Sequence, residues 1–391
     1  MGMNAAVIGA GSESIFAIRK AQALGLKVIA LDGDPNAAGL KYADVSFVVD
    51  IRDNDKTAEI LDKYRPDIIL PVPIGRYLIT AGAMNDRYGL KGVSYNSADL
   101  CTDKYSFHEC MAAASLRNAS VYLLEKGETV IRKENISFPL VAKPRFGSGS
   151  RGVEIFDDMD HLSSGFIGNA PFDEDYILES CIAGKEYGVD GLCINGVFHL
   201  ILLREKSITP PPYRQCIAYY SVDISDPFRK KTEEYMQAAA EAAGLKDCVM
   251  HADIIRKEND DPFVIEMSPR PSGHNLHNLF TTMASGVDEV EVFVRYVLGM
   301  DHSFEPTVDQ PLMIGYFDME GKVISVPEEK YIKNKYPLSD YKCYIGTGDI
   351  LGSVKDGHSL MGRGYYILKA DNRKKLREYS EALKSEFEVE K

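Results

Sequence analysis

The chain has 391 residues, with 45 Lys or Arg against 58 Asp or Glu and a formal net charge of −13. Apolar residues make up 45% and charged residues 26%, globular values that exclude a disordered or collagen-like chain. The acidic balance argues against general binding to nucleic acid or to an anionic membrane, because both need a surplus of Lys and Arg. No uncharged apolar run approaches the ~18 residues that span a bilayer. Met1–Ala10 lacks the basic region of a secretory signal, and Ala6 stands where a myristoylation motif prefers Ser or Thr. The seven cysteines are scattered without a Cys-x-x-Cys pair, which fits reduced thiols in a cytoplasmic protein.

At about 150 residues per domain the length suggests two or three domains. The first hundred residues alternate strand and helix signals. Ala5–Gly9 reads as a strand, Ser14–Leu24 as an amphipathic helix closed by Gly25, and Val28–Asp32 and Val45–Val49 as further strands. Thr57–Tyr64 is helical, and Ile68–Pro71 makes a fourth strand after Arg65-Pro66. This alternation predicts a parallel, Rossmann-like sheet over residues 1–98. Thr102 or Asp103 then caps a helix running to about Ala114.

From residue 99 to about 300 the pattern predicts an α+β domain, with a small subdomain at about 136–182. Phe138–Lys143, Gly152–Phe156, Tyr176–Ser180, Glu186–Ile194 and Val197–Arg204 read as strands, the last two joined by an Asn195-Gly196 turn. Thr232–Ala243 is a helix. Val249–Arg256 and Phe263–Met267 form a hairpin around Asn259–Pro262. Residues 301–391 form a third, β-rich segment that ends in a charged helix near Asn372–Phe387.

Four segments carry chemistry. Gly9-Ala10-Gly11-Ser12-Glu13-Ser14, with Asp32 ending the next strand, looks like a dinucleotide fingerprint, although Ser14 stands where a third glycine belongs. A tight strand–helix turn is the simpler reading. Lys143-Pro144-Arg145-Phe146-Gly147-Ser148-Gly149-Ser150-Arg151-Gly152 places a lysine at a strand end before a loop whose N–H groups can wrap phosphate oxygens. In the hairpin, a loop at 258–261 would put Asp253 opposite Glu266 and His251 opposite Ser268. Facing carboxylates repel unless a cation lies between them, and oxygen ligands favour Mg²⁺. Arg270, just beyond, can hold a carboxylate or phosphate bidentately. The fourth segment, Glu179 through Gly184 to Glu186 and Asp190, is a strand, a turn and an acidic strand face.

In this order the segments resemble the ATP-grasp superfamily, of the carboxylate–amine ligase type found in carbamoyl phosphate synthase, biotin carboxylase and purine-pathway enzymes. That family has a preceding Rossmann-like domain, a lysine on an early helix, and a strand lysine before a glycine-rich loop. A hinge of form E-x-x-x-x-G-x-E-[YF] and a metal-binding hairpin ending E-x-[NS]-P-R-P complete it. Here these are Lys104, Lys143 with Gly147–Gly152, Glu179 to Tyr187, Asp253, and Glu266-Met-Ser268-Pro-Arg270-Pro. The resemblance covers about residues 3–300.

It implies that Lys104 and Lys143 contact ATP phosphates under a loop containing Gly147, Ser148, Gly149, Ser150 and Gly152. Adenine would lie on Glu179, Ser180, Cys181 and Ile182, and Glu186 would hold the ribose hydroxyls. Asp253, Glu266 and Ser268 would ligate one or two Mg²⁺, with Mn²⁺ able to substitute, while Arg270 steadies the transferred phosphoryl group. Ser268 replaces the commoner Asn, and Asp253 is one carbon shorter than the usual Glu.

The activity this implies is an ATP-dependent ligase that joins a small-molecule carboxylate to an amine, amino-acid-like or otherwise small, through an acyl phosphate. A nicotinamide-dependent oxidoreductase using Gly9–Ser14 and a non-catalytic nucleotide-binding module are the alternatives. Arg76, Arg214, Ser272 and Gly273 are candidate substrate contacts, and Glu205–Ala218, with Pro210–Pro212, is a candidate lid or a Pro-stiffened surface loop. Neither nucleic acid nor a membrane is expected as a partner, and a homodimer is the one oligomer considered.

Overall fold

The computed structural model describes residues 2–390 apart from 128–136, 148, 150, 168–173, 211–213 and 356, without the side chains of 165–167 and 358. The chain forms two units, each drawn from three stretches: 1–119, 189–202 and 227–307 in the first, 120–188, 203–226 and 308–391 in the second.

In the first unit, Asn4–Ile8, Lys27–Asp32, Val45–Val48 and Ile68–Ile69 form a parallel sheet in the order third, second, first, fourth. The central strands are apolar on both faces, with Ala5–Val7 and Val28–Leu31 fully buried, as a covered parallel sheet requires. The helix Ser14–Ala23 buries Ala17, Ile18 and Ala21 in the same core. The α/β reading of this region therefore holds. Two helices escaped the sequence reading, Leu78–Tyr88 and Tyr95–Thr102. Beside the buried Leu78, Ala81 and Met84, small and polar groups bring them close: a Cβ on Gly82 would lie 2.7 Å from the Ser94 carbonyl oxygen, and Asn85 donates to the Val93 carbonyl at 2.9 Å.

Asp103 caps the helix Lys104–Ala113, accepting from the N–H groups of Tyr105 and Ser106. Asn195 and Gly196 both take positive φ (51° and 81°), the backbone that a type I′ turn needs. Cys248–Arg256 pairs antiparallel with Pro262–Ser268 in the expected register, His251 opposite Ser268 and Asp253 opposite Glu266. Pro262–Ser268 is the outermost strand of its sheet. Three side chains occupy the edge it would leave open. Arg117 donates to Val264 O at 2.8 Å, the His108 ring nitrogen lies 3.1 Å from Ile265 O, and the Tyr235 hydroxyl accepts from Val264 N–H at 3.1 Å.

In the second unit, Val121–Leu124, Tyr176–Ser180, Leu140–Pro144 and Glu154–Phe156 form a small antiparallel sheet in that order. Leu124, Leu140, Ala142, Phe156, Leu162 and Leu178 make its core. The C-terminal residues are β-rich, as the sequence suggests. Leu312–Tyr316 pairs with Cys216–Ser221 on one side and Gly364–Lys369 on the other. The last helix, Arg373–Lys384, is capped by Asn372 and buries Leu376 and Leu383. Among the described residues no helix is long and apolar enough to cross a membrane, and the seven cysteines are free thiols.

Candidate active site

The candidate residues fall into two groups, one in each unit. In the second unit, strand register puts Lys143 opposite Ile177 and Val141 opposite Glu179, so the lysine and Glu179 are diagonal neighbours on one face. Their side chains meet as an ion pair, Nζ to Oε1 at 2.6 Å, with 6% and 7% of each exposed. Burial of this kind is tolerated because each charge neutralises the other. Beyond the strand, Gly147, Gly149 and Gly152 all take positive φ. Around Gly147 and Gly149 nothing lies within 4 Å of a would-be Cβ, whereas at Gly152 it would meet Pro144 and the Tyr176 hydroxyl. Side chains would thus be unhindered at the first two, while the third is packed against its neighbours. Ser148 and Ser150 lie outside the described residues.

The hinge Glu179–Ile182 leaves the sheet through a hydrogen bond from Cys181 N–H to Pro139 O at 2.9 Å, and burial raises the Cys181 thiol pKa. Glu186 opens the next strand and accepts from Arg214 Nη2 at 2.6 Å. Gly188 leaves room for the fully buried Arg204, whose guanidinium a Cβ there would strike and which stacks 4.8 Å over Tyr219. Glu205, also buried, accepts from Tyr187 at 3.1 Å and from Arg373 at 2.8 Å, tying the C-terminal helix to this strand. Of the proposed lid Glu205–Ala218, residues 211–213 lie outside the described set.

In the first unit, Asp253 and Glu266 face each other across the hairpin, and Arg270 feels the charge of both as well as that of Glu13. Burial pulls the Arg270 pKa below its ordinary value, and the three acids oppose that pull. Its Nη1 is anchored on Pro271 O at 2.8 Å. Ser268 ends the strand, and its carbonyl accepts from Arg270 N–H at 2.8 Å. Lys104 is the first residue of the Asp103-capped helix of this unit. Arg76, by contrast, pairs with Asp99 at 3.6 Å where both are about half exposed, the ordinary behaviour of a surface arginine. Its neighbours Pro71, Val72 and Ile74 nevertheless line a small cavity together with Ile8, Pro269 and Arg270.

Sequence reasoning missed Glu13. It stands at the start of the helix Ser14–Ala23, where a dinucleotide fingerprint would admit a pyrophosphate. Its Oε1 accepts from Asn275 N–H at 3.0 Å, and a Cβ on Gly273 would lie 3.2 Å from its Oε2. Burial raises its pKa, against the hydrogen bonds from the Asn275 and His274 backbone and the charge of Arg270. His274 and Asn275 hold left-handed φ of 61° and 59° to present those N–H groups. Asp32 is also engaged, accepting from Ala10 N–H at 2.6 Å and Asp34 N–H at 2.9 Å. An acid at the helix start and a ribose-type acid already bound to backbone make Gly9–Ser14 a structural turn. They do not favour the nicotinamide reading. The one signal available was an acid inside a glycine turn.

Ser272 is buried, and its carbonyl lies 2.5 Å from His277 Nδ1. That contact places the proton on Nδ1 and leaves Nε2 a buried acceptor without a hydrogen-bond partner among the described residues. Burial holds the His277 pKa down to about 4, below the ordinary 6.5. The unfolded chain therefore gains a proton below about pH 6.5 that the folded chain refuses until about pH 4. Stability present above pH 6.5 is lost as pH falls through that window, by roughly 2–3 kcal/mol near pH 4.5. Urea titrations near pH 7 and near pH 4.5 should show a drop smaller by that amount in His277→Gln than in the parent.

A bound divalent cation fits Asp253 and Glu266. They supply hard oxygen donors at paired positions of adjacent strands. Asp253 and Glu266, with Ser268 beside them, would hold Mg²⁺ through oxygen donors of the kind it prefers.

Residues 136–278 match the ATP-grasp domain family. The chain is 24% identical over 312 residues to a formate-dependent phosphoribosylglycinamide formyltransferase of Synechococcus sp., covering 75% of each. It is 27% identical over 220 residues to the alanine–anticapsin ligase of Bacillus subtilis, covering 49% of this chain and 46% of that one. With a carbamoyl phosphate synthase large chain of Clostridium perfringens it is 22% identical over 386 residues, 92% of this chain but 34% of the relative. It thus spans under half of the second relative and a third of the third. The crystal structure of an L-amino acid ligase from Bacillus licheniformis superposes with a TM-score of 0.80 over 99% of this chain and 98% of that one, at 16% identity. At that identity the likeness is one of fold. Residues 136–278 therefore form an ATP-grasp domain, and the chain around it is similar in sequence and fold to carboxylate–amine ligases.

Proposed function

We propose that this chain joins a carboxylate to an amine at the expense of ATP, through an acyl phosphate, on small substrates of amino-acid type. The observation that carries the reading is the hairpin register. It sets two carboxylates face to face with an arginine two residues past the strand, a set suited to a divalent cation and a phosphoryl group and to little else.

A substrate carboxylate oxygen attacks the γ-phosphorus, and the bond from that phosphorus to the ADP oxygen breaks. The amine then attacks the acyl carbon, phosphate leaves, and the nitrogen gives up a proton to form the amide. Phosphoryl transfer demands alignment and charge neutralisation more than covalent help. Lys143 and Lys104 supply point charges for the phosphates, and Gly147 and Gly149 supply backbone N–H groups. Arg270 neutralises oxygens of the transferred group through its planar fork. Asp253 and Glu266 would hold Mg²⁺, which would supply further positive charge for the phosphates. The hinge Glu179–Ile182 would take the purine, and Glu186 the ribose.

Calorimetry with ATP and Mg²⁺, followed by a screen of acid and amine pairs for ADP release, tests this. The expected result is Mg²⁺-dependent ATP binding and ADP release that requires both an acid and an amine. ATP binding with no turnover on any pair would leave the non-catalytic module. No ATP binding at all would end the nucleotide reading.

A further inference from the structure

Glu186 is the residue to which the proposed function gives the ribose hydroxyls, and its carboxylate is already engaged. Arg214 Nη2 donates to Glu186 Oε1 at 2.6 Å, with 31% and 16% of the two side chains exposed. A ribose diol donates two O–H groups and is held best by a carboxylate that turns its oxygens to the sugar. A guanidinium on Oε1 competes for that position. The arginine is presented at a cost, since its φ of +45° lies in the left-handed region that residues with a Cβ avoid. The neck of its loop is fixed, with Thr209 N–H donating to Gln215 O at 2.8 Å and Gln215 N–H donating to Thr209 Oγ1 at 2.9 Å. Gln215 is itself buried. The strained residue therefore stands directly before a pinned, buried one, and release of its side chain leaves the neck bonded.

We propose that Arg214 is a competitor built into the nucleoside site: it holds Glu186 until the ribose hydroxyls take that carboxylate, and so sets the nucleotide affinity. A cation beside a nucleotide site would ordinarily be read as a phosphate ligand whose removal weakens binding. The geometry here points the other way. The inference rests on the assignment of Glu186 to the ribose, and the experiment separates the two.

The probe is adenosine, titrated calorimetrically without metal into the full chain. With no phosphate on the ligand, Lys143, Lys104 and Mg²⁺ have nothing to contact. Arg214→Ala is expected to bind adenosine about 5- to 30-fold more tightly than the parent, the scale of one charged hydrogen bond removed from competition. Arg214→Lys should fall between them. Raising NaCl from about 50 to about 500 mM should tighten adenosine binding to the parent, by screening the ion pair, and leave Arg214→Ala unchanged. The salt titration needs no variant, so it decides the matter even if Arg214→Ala does not fold. Weaker or equal binding by Arg214→Ala and a flat salt response in the parent would overturn the proposal. Glu186→Gln should weaken adenosine binding. If it does so while the Arg214 results fail, the ribose assignment stands without the competitor, and if Glu186→Gln has no effect both fall.

Discussion

Replacing Lys143 by Met is expected to remove ATP binding and to destabilise the fold together, and adding Glu179→Gln should restore the fold without restoring ATP. The two effects have different origins. Lys143 and Glu179 form a 2.6 Å pair with less than a tenth of either side chain exposed. Truncating one partner of a buried pair takes from the other charge its nearest neutralising group, a change that costs about 3–5 kcal/mol. Making Glu179 neutral removes that penalty, because a glutamine in the same place can be satisfied by hydrogen bonds alone. The phosphate-facing charge has no such substitute. Loss of ATP affinity by about 100-fold or more should persist in the double variant, read by calorimetry alongside urea denaturation. A double variant that recovers both properties would mean that Lys143 is a structural cation only. Single-variant data could not tell these apart, since an unstable protein also binds poorly.

The parts of this molecule that were legible in the sequence are those whose function dictates a local pattern. The metal-type hairpin was legible at its two key pairs, His251 with Ser268 and Asp253 with Glu266, because side chains alternate, although a bulge after Asp253 shifts the register by one toward the turn. The parallel sheet followed from apolar runs between helices. The Asn195-Gly196 turn followed from two residues that tolerate positive φ. The helices Leu78–Tyr88 and Tyr95–Thr102 were not legible, because Thr80, Gly82, Asn85 and Ser97 share the buried faces with Leu78, Ala81, Met84 and Ala98 and blur the apolar period. The Lys143–Glu179 pair could not be foreseen either. Both residues were singled out for the nucleotide, yet their mutual contact arises from the antiparallel pairing of strands more than thirty residues apart. Glu13 lies still further from sequence logic. It acts on a loop 262 residues away, so only the fold brings its carboxylate to the Asn275 amide. The same holds for His108, Arg117 and Tyr235, which steady the strand bearing Glu266 and contribute nothing that a motif would record.

Arg270 carries the second large effect. Arg270→Ala should reduce acid- and amine-dependent ADP release by about a thousandfold, the scale seen when one fixed donor to a developing charge is removed. ATP affinity should change by no more than about threefold, because the nucleotide contacts assigned here are Lys143, Lys104, the glycine loop and Glu186. Arg270→Lys keeps the charge but loses the planar fork that can grip two oxygens at once, so it should recover little of the rate. The site around it sharpens the expectation. One guanidinium faces three acids, Glu266, Glu13 and Asp253, in a place where burial already disfavours its charge. Nothing but a strong demand for a cation at that spot keeps an arginine there. Removing it leaves the acids to repel one another. A purely structural role would then appear as lost stability with turnover falling in proportion to the folded fraction. Glu13→Gln tells the two apart. It removes one of the acids and leaves the Asn275 amide an acceptor, so the fold should hold while the setting of Arg270 changes. Steady-state kinetics on Arg270→Ala, Arg270→Lys and Glu13→Gln, each beside an ATP titration, would sort them. Turnover lost with ATP binding intact marks Arg270 as the group that meets the transferred phosphoryl. Loss of ATP binding in step with turnover would assign it to the fold instead.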